Sequence, residues 1–429
     1  MKLKRILSSF LAVVMAFGVV SSATVDENGN IFGNTLTAEA ATEKTATKMP
    51  DNAITFSNTY SDELEIIPAA SKNGMYYYNN KVIYFYSVAN NTFRKIYDYN
   101  DKGINKDTVI CVYADAEKGK FYIVWLDSST NKKNIYYLDE FDVKSEKFVS
   151  TKDISSFVGS NTPSYPESLG VDSQNRYYLA VYDRNQKKYV INLISANMKL
   201  LSSAVMDDAV YKFSGFDKTN GNFYFEGYTN WVYWGFDHDT QSLKCGNVKN
   251  NKISVSDHYV DILYQQYYTP HYDNAVMLTN GNFVWTSTMS STVRVLDSAK
   301  FNINDKDSSL PLKFSVSRSG FETEDRYADS IGTRTVYNEA TGDYLMYIND
   351  NTVVELDAKG NKKSTYKTAY PVFAMYNYGD SVLVIEKDRG ENFYVENLKW
   401  VYPTKITLSK TSATIKVGES YFVYMVTQQ

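Results

Sequence analysis

The chain is poor in cysteine, histidine and proline: its 429 residues hold 2 Cys, 3 His and 8 Pro. So few cysteines exclude a disulfide scaffold. They also leave no ligand set for a Cys-rich zinc or iron–sulfur site. No cofactor and no metal are therefore expected. No Gly-x-Ser-x-Gly elbow and no Walker-type glycine loop occur. An excess of one charge is lacking too, since 45 Lys+Arg against 49 Asp+Glu give a net charge of −4. A nucleic-acid binder would carry a basic excess, so nucleic acid is not an expected partner. Beyond the first residues no run approaches 18 consecutive apolar positions. No transmembrane segment is expected in the mature chain.

Aromatic residues are abundant, with 38 Tyr and 22 Phe. Disordered segments lack such residues, whereas strands use them to pack. The N-terminus reads differently from the rest. Lys2, Lys4 and Arg5 precede an apolar stretch from Ile6 to Val20, and a polar stretch follows. This is the pattern of an export signal, expected over residues 1–40 with cleavage after Ala23 or Ala40. An uncleaved signal anchor is the alternative. Cys111 and Cys245 would then lie on the exported side, where two buried, unpaired thiols are expected rather than a disulfide.

From 51 to 400 the chain reads as strand after strand, with almost no helical periodicity. One hairpin recurs: Asp or Asn, a few polar residues, Gly or Asn, then a Phe/Tyr-rich strand. It appears as Asp115 to Tyr122, Asp172 to Tyr178, Asp217 to Tyr224, Thr279 to Phe283 and Asn338 to Tyr344. Shorter copies surround Gly74 and Gly379. Gly or Asn supplies the positive φ that a tight turn needs. The turn residues fall at 74, 119, 175, 221, 281, 342 and 379. A second hairpin is expected in most units, at Ala89–Thr92, Asp142–Glu146, Asp237–Thr240 and Asp357–Gly360. Each unit then holds four antiparallel strands, the size of one β-propeller blade. The predicted fold is all-β, a β-propeller of seven four-stranded blades. Six or eight blades fit similar spacings, and a β-sandwich array is the alternative. The last unit shows three clear strands, so Ala53-Ile54-Thr55-Phe56 is expected to close the ring as its fourth.

After Trp400 the pattern changes. Ile406, Leu408, Ile415, Val417, Gly418 and Phe422 fall in a run that resembles the start of a group 2 bacterial Ig-like domain. The resemblance covers residues 403–429 and implies a truncated β-sandwich stub, because so few strands cannot bury a sandwich core. It also implies an exported, surface-associated setting.

The candidate functional residues come from loop length. Links between blades, and the turn between the second and third strand of each blade, lie on one face of a propeller. Three links read as long: 155–168, 250–274 and 317–330. They carry Tyr165; Tyr259, Tyr264, Tyr267, Tyr268, His271 and Tyr272; and Glu322, Arg326 and Tyr327. Trp231, in a second-to-third-strand turn, is expected on the same face. Exposed Tyr and Trp form sugar platforms or protein hot spots. The competing reading is that the Tyr259–Tyr268 stretch is a packed strand or short helix. The expected function is an exported, non-catalytic binding module at a bacterial surface, with an extracellular glycan or protein as ligand. A secreted carbohydrate-active enzyme is the alternative. It would pair Glu322 or Glu324 with Glu167 or Asp261, since glycoside cleavage needs two carboxyl groups. A spacer without a ligand is the third reading.

Overall fold

The computed structural model describes residues 23–25, 31–33, 46–55, 64–102, 109–127, 134–159, 164–207, 209–233, 236–264, 274–286, 292–304, 310–317, 334–349 and 351–400. Seven four-stranded antiparallel sheets form seven blades. Blade 1 is Leu64–Ala69, Gly74–Asn79, Val82–Ser87 and Thr92–Asp98. Blade 2 is Val109–Asp115, Lys120–Asp127, Ile135–Asp142 and Lys147–Asp153. Blade 3 is Tyr165–Val171, Tyr177–Asp183, Lys188–Ile194 and Leu200–Met206. Blade 4 is Ala209–Phe216, Asn222–Tyr233, Phe236–Lys249 and Lys252–Tyr264. Blade 5 is Asn274–Met277, Phe283–Thr286, Thr292–Leu296 and Leu312–Ser317. Blade 6 is Thr335–Asn338, Asp343–Asn349, Thr352–Leu356 and Lys362–Lys367. Blade 7 takes Val372–Tyr378, Ser381–Lys387 and Phe393–Lys399, with Thr47–Lys48 as its outer strand. The first strand of blade 7 lies against the first strand of blade 1, which closes the ring.

The turn chemistry explains the repeat. Positive φ occurs at Gly119, Asn175, Gly221, Gly281, Gly342 and Gly379, as the spacing predicts. In blade 1 the positive φ belongs to Asn73, not to Gly74. Gly74 is needed for space: a Cβ there would lie 2.1 Å from the Tyr86 carbonyl oxygen. The aspartate of the turn organises it from within. In blade 3, Asp172 Oδ1 accepts the backbone N–H of Gln174 (2.9 Å) and Arg176 (3.0 Å). Its Oδ2 accepts the Tyr178 hydroxyl at 3.1 Å. In blade 3 one carboxylate thus serves both the turn and the strand after it.

The tyrosines fill the seams between blades. Tyr76, Tyr77, Tyr86, Tyr122, Tyr178, Tyr224 and Tyr344 are fully buried. Tyr178 meets Phe223 of the next blade at 5.0 Å, and Tyr224 meets Phe283 at 4.6 Å. Tyr344 in blade 6 accepts amide N–H bonds from Asn280 (2.9 Å) and Asn282 (2.7 Å) of blade 5. Each such ring contributes about 1.5–3 kcal/mol by burial, with a further fraction from its ring contact. Cys111 and Cys245 are buried and are not joined in a disulfide.

The structure corrects three expectations. The closing strand is Thr47–Lys48, paired with Val395 and Tyr394, and not Ala53 to Phe56. Asn52 has a positive φ of 63° and the Ala53 N–H bonds back to the Pro50 carbonyl. The chain therefore turns there, and Ala53 and Ile54 are buried as a plug beside Met49, Tyr77 and Phe373. Phe56 lies outside the described residues. Asp237–Thr240 is not a hairpin; it lies within a 14-residue strand. The second hairpin of blade 4 turns at Asn250 and Asn251, both at positive φ. Finally, residues 252–264 form the outer strand of blade 4 rather than a link.

Two further observations concern the ends. Ala23–Val25 pairs with Ile31–Gly33 in a small hairpin. The stretch 403–429 lies outside the described residues. No helix among the described residues is long and apolar enough to cross a membrane.

Candidate functional site

The turns between second and third strands, and the links from one blade to the next, share one face of the ring. Two neighbouring blades, 3 and 4, stand out on it.

In blade 3 three tyrosines align across three strands. Tyr165 opens the inner strand and pairs with Tyr182, which pairs in turn with Tyr189. Ring centroids lie 5.7 Å and 4.8 Å apart, tilted by 57° and 44°. All three are half-buried. The Arg184 guanidinium covers the Tyr165 ring at 5.1 Å from its centroid. The inner strand bulges between Pro166 and Ser168, so Glu167 is the extra residue. A bulge re-aims a side chain, and Glu167 here receives the Tyr165 hydroxyl as a hydrogen bond. Burial raises the Glu167 carboxyl above the usual range, and that hydrogen bond pulls it back. Burial and the nearby Glu167 charge push Tyr189 up to about 12. At neutral pH Tyr165 and Tyr189 therefore remain hydroxyl donors.

Tilted rings shield one another's faces. The patch thus offers ring edges, hydroxyls, one carboxyl and one guanidinium, which is the chemistry of a protein hot spot. A flat platform for a sugar ring would need an open face.

In blade 4 the second and third strands outrun the first. The inner strand ends its pairing at Ala209 opposite Tyr228, while the second strand continues to Tyr233. Residues 229–233 therefore project about 17 Å at the usual rise of a strand. The register sets Tyr233 opposite Phe236, Trp231 opposite His238, and Tyr264 opposite Thr240. Opposed residues share a face, and residues two apart along a strand join them.

The sequence-predicted residues divide accordingly. Tyr165 lies in the blade 3 patch. Trp231 lies in a strand, three positions before the turn it was expected to occupy. Tyr259 and Tyr264 lie in the outer strand of blade 4, Tyr259 opposite Lys244 beyond a register shift, not in a loop. Tyr267, Tyr268, His271, Tyr272, Glu322, Arg326 and Tyr327 lie outside the described residues. Sequence reasoning missed Tyr182, Arg184 and Tyr189. Their signal was the near-symmetric placement of two tyrosines about the polar 184–187 turn.

No protein-family model matches the chain, and no curated protein matches it. Solved structures resemble it in overall shape at low identity. Virginiamycin B lyase from Staphylococcus aureus is 9% identical with a TM-score of 0.43, over 80% of this chain and 97% of that one. BamB from Moraxella catarrhalis is 10% identical with a TM-score of 0.37, over 77% of this chain and 95% of that one. BBS1N in complex with ARL6DN is 9% identical with a TM-score of 0.45, over 84% of this chain and 99% of that one. The strand order of the seven sheets, closed through the first strands of blades 7 and 1, establishes the β-propeller without them.

Proposed function

We propose that the chain is an exported, non-catalytic β-propeller that binds a partner through the face carrying blades 3 and 4. The observation that carries this reading is the half-buried Tyr165–Tyr182–Tyr189 row with Arg184 over it, beside a blade whose second and third strands outrun the first. Tyrosine and arginine dominate binding hot spots because they bury area at little entropic cost and keep polar tips. The tilt of the rings favours a protein ligand at blade 3. The aromatic content of the blade 4 arm, with Trp231, Tyr233 and Phe236 in its sequence, favours a second reading, an extracellular glycan as ligand. The basic and apolar N-terminus supports export, and the Ig-like resemblance of 403–429 supports a surface setting.

The test uses the full chain, Tyr165→Ala with Arg184→Ala, and an arm trimmed at 230–239. Each is applied to glycan arrays and to immobilised surface-protein extracts. The reading expects binding by the parent chain that either variant weakens by at least tenfold. Binding that both variants retain unchanged would overturn the assignment to this face.

A further inference from the structure

Blade 7 is the seam of the ring, and its centre holds two buried acids. Glu386, on the second strand, and Glu396, on the third, are 0% and 5% exposed. Glu386 is opposite Tyr394, and Glu396 is opposite Val384. Both carboxyl groups therefore belong to one face of the blade, a single step apart along it. Glu386 Oε2 accepts the Tyr370 backbone N–H at 2.7 Å, and a second N–H bond comes from Ala369. The two carboxyl groups lie within reach of each other. Two carboxylates so close and out of water repel each other, so one of the pair carries a proton.

On blade 6, which packs against this face, Tyr366 donates to Glu355 at 3.2 Å, Arg334 covers the Tyr347 ring and Lys367 donates to Thr352 at 2.5 Å. The groups of blade 7 near the pair are engaged as well. Tyr394 donates its hydroxyl to Asp388 at 2.9 Å and stacks on Tyr370 at 4.1 Å. Lys48, opposite Tyr394 on the closing strand, pairs with Asp51 at 3.0 Å. Lys387 pairs with Glu391 at 3.7 Å. Glu396 is the charged group that acts most strongly on Glu386.

The third strand of blade 7 carries Glu396 and also holds the closing strand. Thr47 and Lys48 pair with Val395 and Tyr394, and the Met49 N–H donates to the Phe393 carbonyl at 2.8 Å. This outer strand has two residues, where every other blade has an outer strand of six or more. We propose that Glu386 and Glu396 form a proton-operated clasp: the shared proton holds blade 7 closed on Thr47–Lys48, and its loss opens the ring at that seam. Ionising both acids places two like charges side by side out of water, beside the shortest pairing in the ring. Burial, reinforced by the Glu396 charge, raises the Glu386 carboxyl to about 8, against the pull of the Tyr370 N–H. The closed state thus holds more protons than the open one. Closure is complete below the ordinary carboxylate range and weakens as pH rises toward about 8.

The test is amide hydrogen exchange of the full chain between about pH 5 and about pH 9, each rate normalised to its intrinsic value at that pH. Opening at residues 46–55 and 393–399 should grow by up to about tenfold per pH unit, while strand Tyr177–Asp183 stays level. Glu386→Gln donates to Glu396 without a titrating proton, and should make the seam insensitive to pH. A level seam in the parent chain overturns the proposal, and so does an unchanged pH dependence in Glu386→Gln. Should that variant fail to fold, Glu396→Gln serves the same purpose. Infrared spectroscopy of the parent chain supplies a second reading. A protonated-carboxyl band at neutral pH supports the shared proton, and its absence overturns it.

Discussion

Blades 4 and 7 share one strand order and spend their residues in opposite ways. Blade 7 borrows its outer strand from far upstream and anchors the chain after it with the buried Met49, Ala53 and Ile54. Blade 4 draws on one continuous segment and lengthens it, with strands of 12, 14 and 13 residues after the first. The comparison teaches that closure and display are separate tasks in this ring. The seam relies on burial and on contacts between residues far apart in the chain. The arm relies on local hairpin pairing and adds length where the core does not need it.

Deletion should separate these tasks most sharply. Removing residues 46–55 strips the closing strand and three buried apolar side chains, so the folding free energy should fall by about 5 kcal/mol. Trimming the arm at 230–239 to a tight turn should change it by less than about 1 kcal/mol. Urea midpoints of the two variants measure the contrast, and equal losses would remove the distinction.

A smaller effect sharpens the role of the blade 1 turn at the same seam. Gly74→Ala drives a Cβ against the Tyr86 carbonyl and should destabilise by about 1–3 kcal/mol. Gly390→Ala, in a blade 7 turn with no positive φ and only side-chain neighbours, should stay within about 0.5 kcal/mol. Thermal melts of the pair read the difference.

The least effect is electrostatic. Glu146 gathers Lys72 at 3.1 Å, the Tyr76 hydroxyl at 2.5 Å and Arg94, joining blades 1 and 2. The Arg94 bond, ahead of Tyr76 and Lys72, holds the Glu146 carboxyl down at about 2. A lowered carboxyl stabilises fully above its ordinary range, and that contribution is lost as pH falls toward about 2. Because the side chain is a quarter exposed, the loss in Glu146→Gln should be only about 1 kcal/mol at neutral pH. Its effect should vanish in acid, the reverse of the direction expected at Glu386.

Much of this was legible in the sequence, for a physical reason. Each turn carries its own chemistry, so Gly119, Asn175, Gly221, Gly281, Gly342 and Gly379 announced their blades independently. Burial of the tyrosines followed from strand packing. What stayed hidden was non-local. A two-residue strand at Thr47–Lys48 has no periodicity to read, whereas Ala53 and Ile54 mimic a strand because a buried plug is just as apolar. The arm was misread because a strand that outruns its neighbours has the composition of a loop. In the site, Tyr165 was found through its link, but Tyr182, Arg184 and Tyr189 sit around a short turn that length alone does not mark.

The central claim is that the ring binds through one face. Site-specific photocrosslinking of the full chain in surface-protein extracts tests it most directly. Crosslinkers at Tyr165 and Tyr182 sample the binding face, and crosslinkers at Asn90 and Lys359, in exposed turns of the opposite face, serve as reference. The account predicts one discrete adduct from the first pair and none from the second. Equal adducts from both faces, or adducts from Asn90 and Lys359 alone, would contradict it.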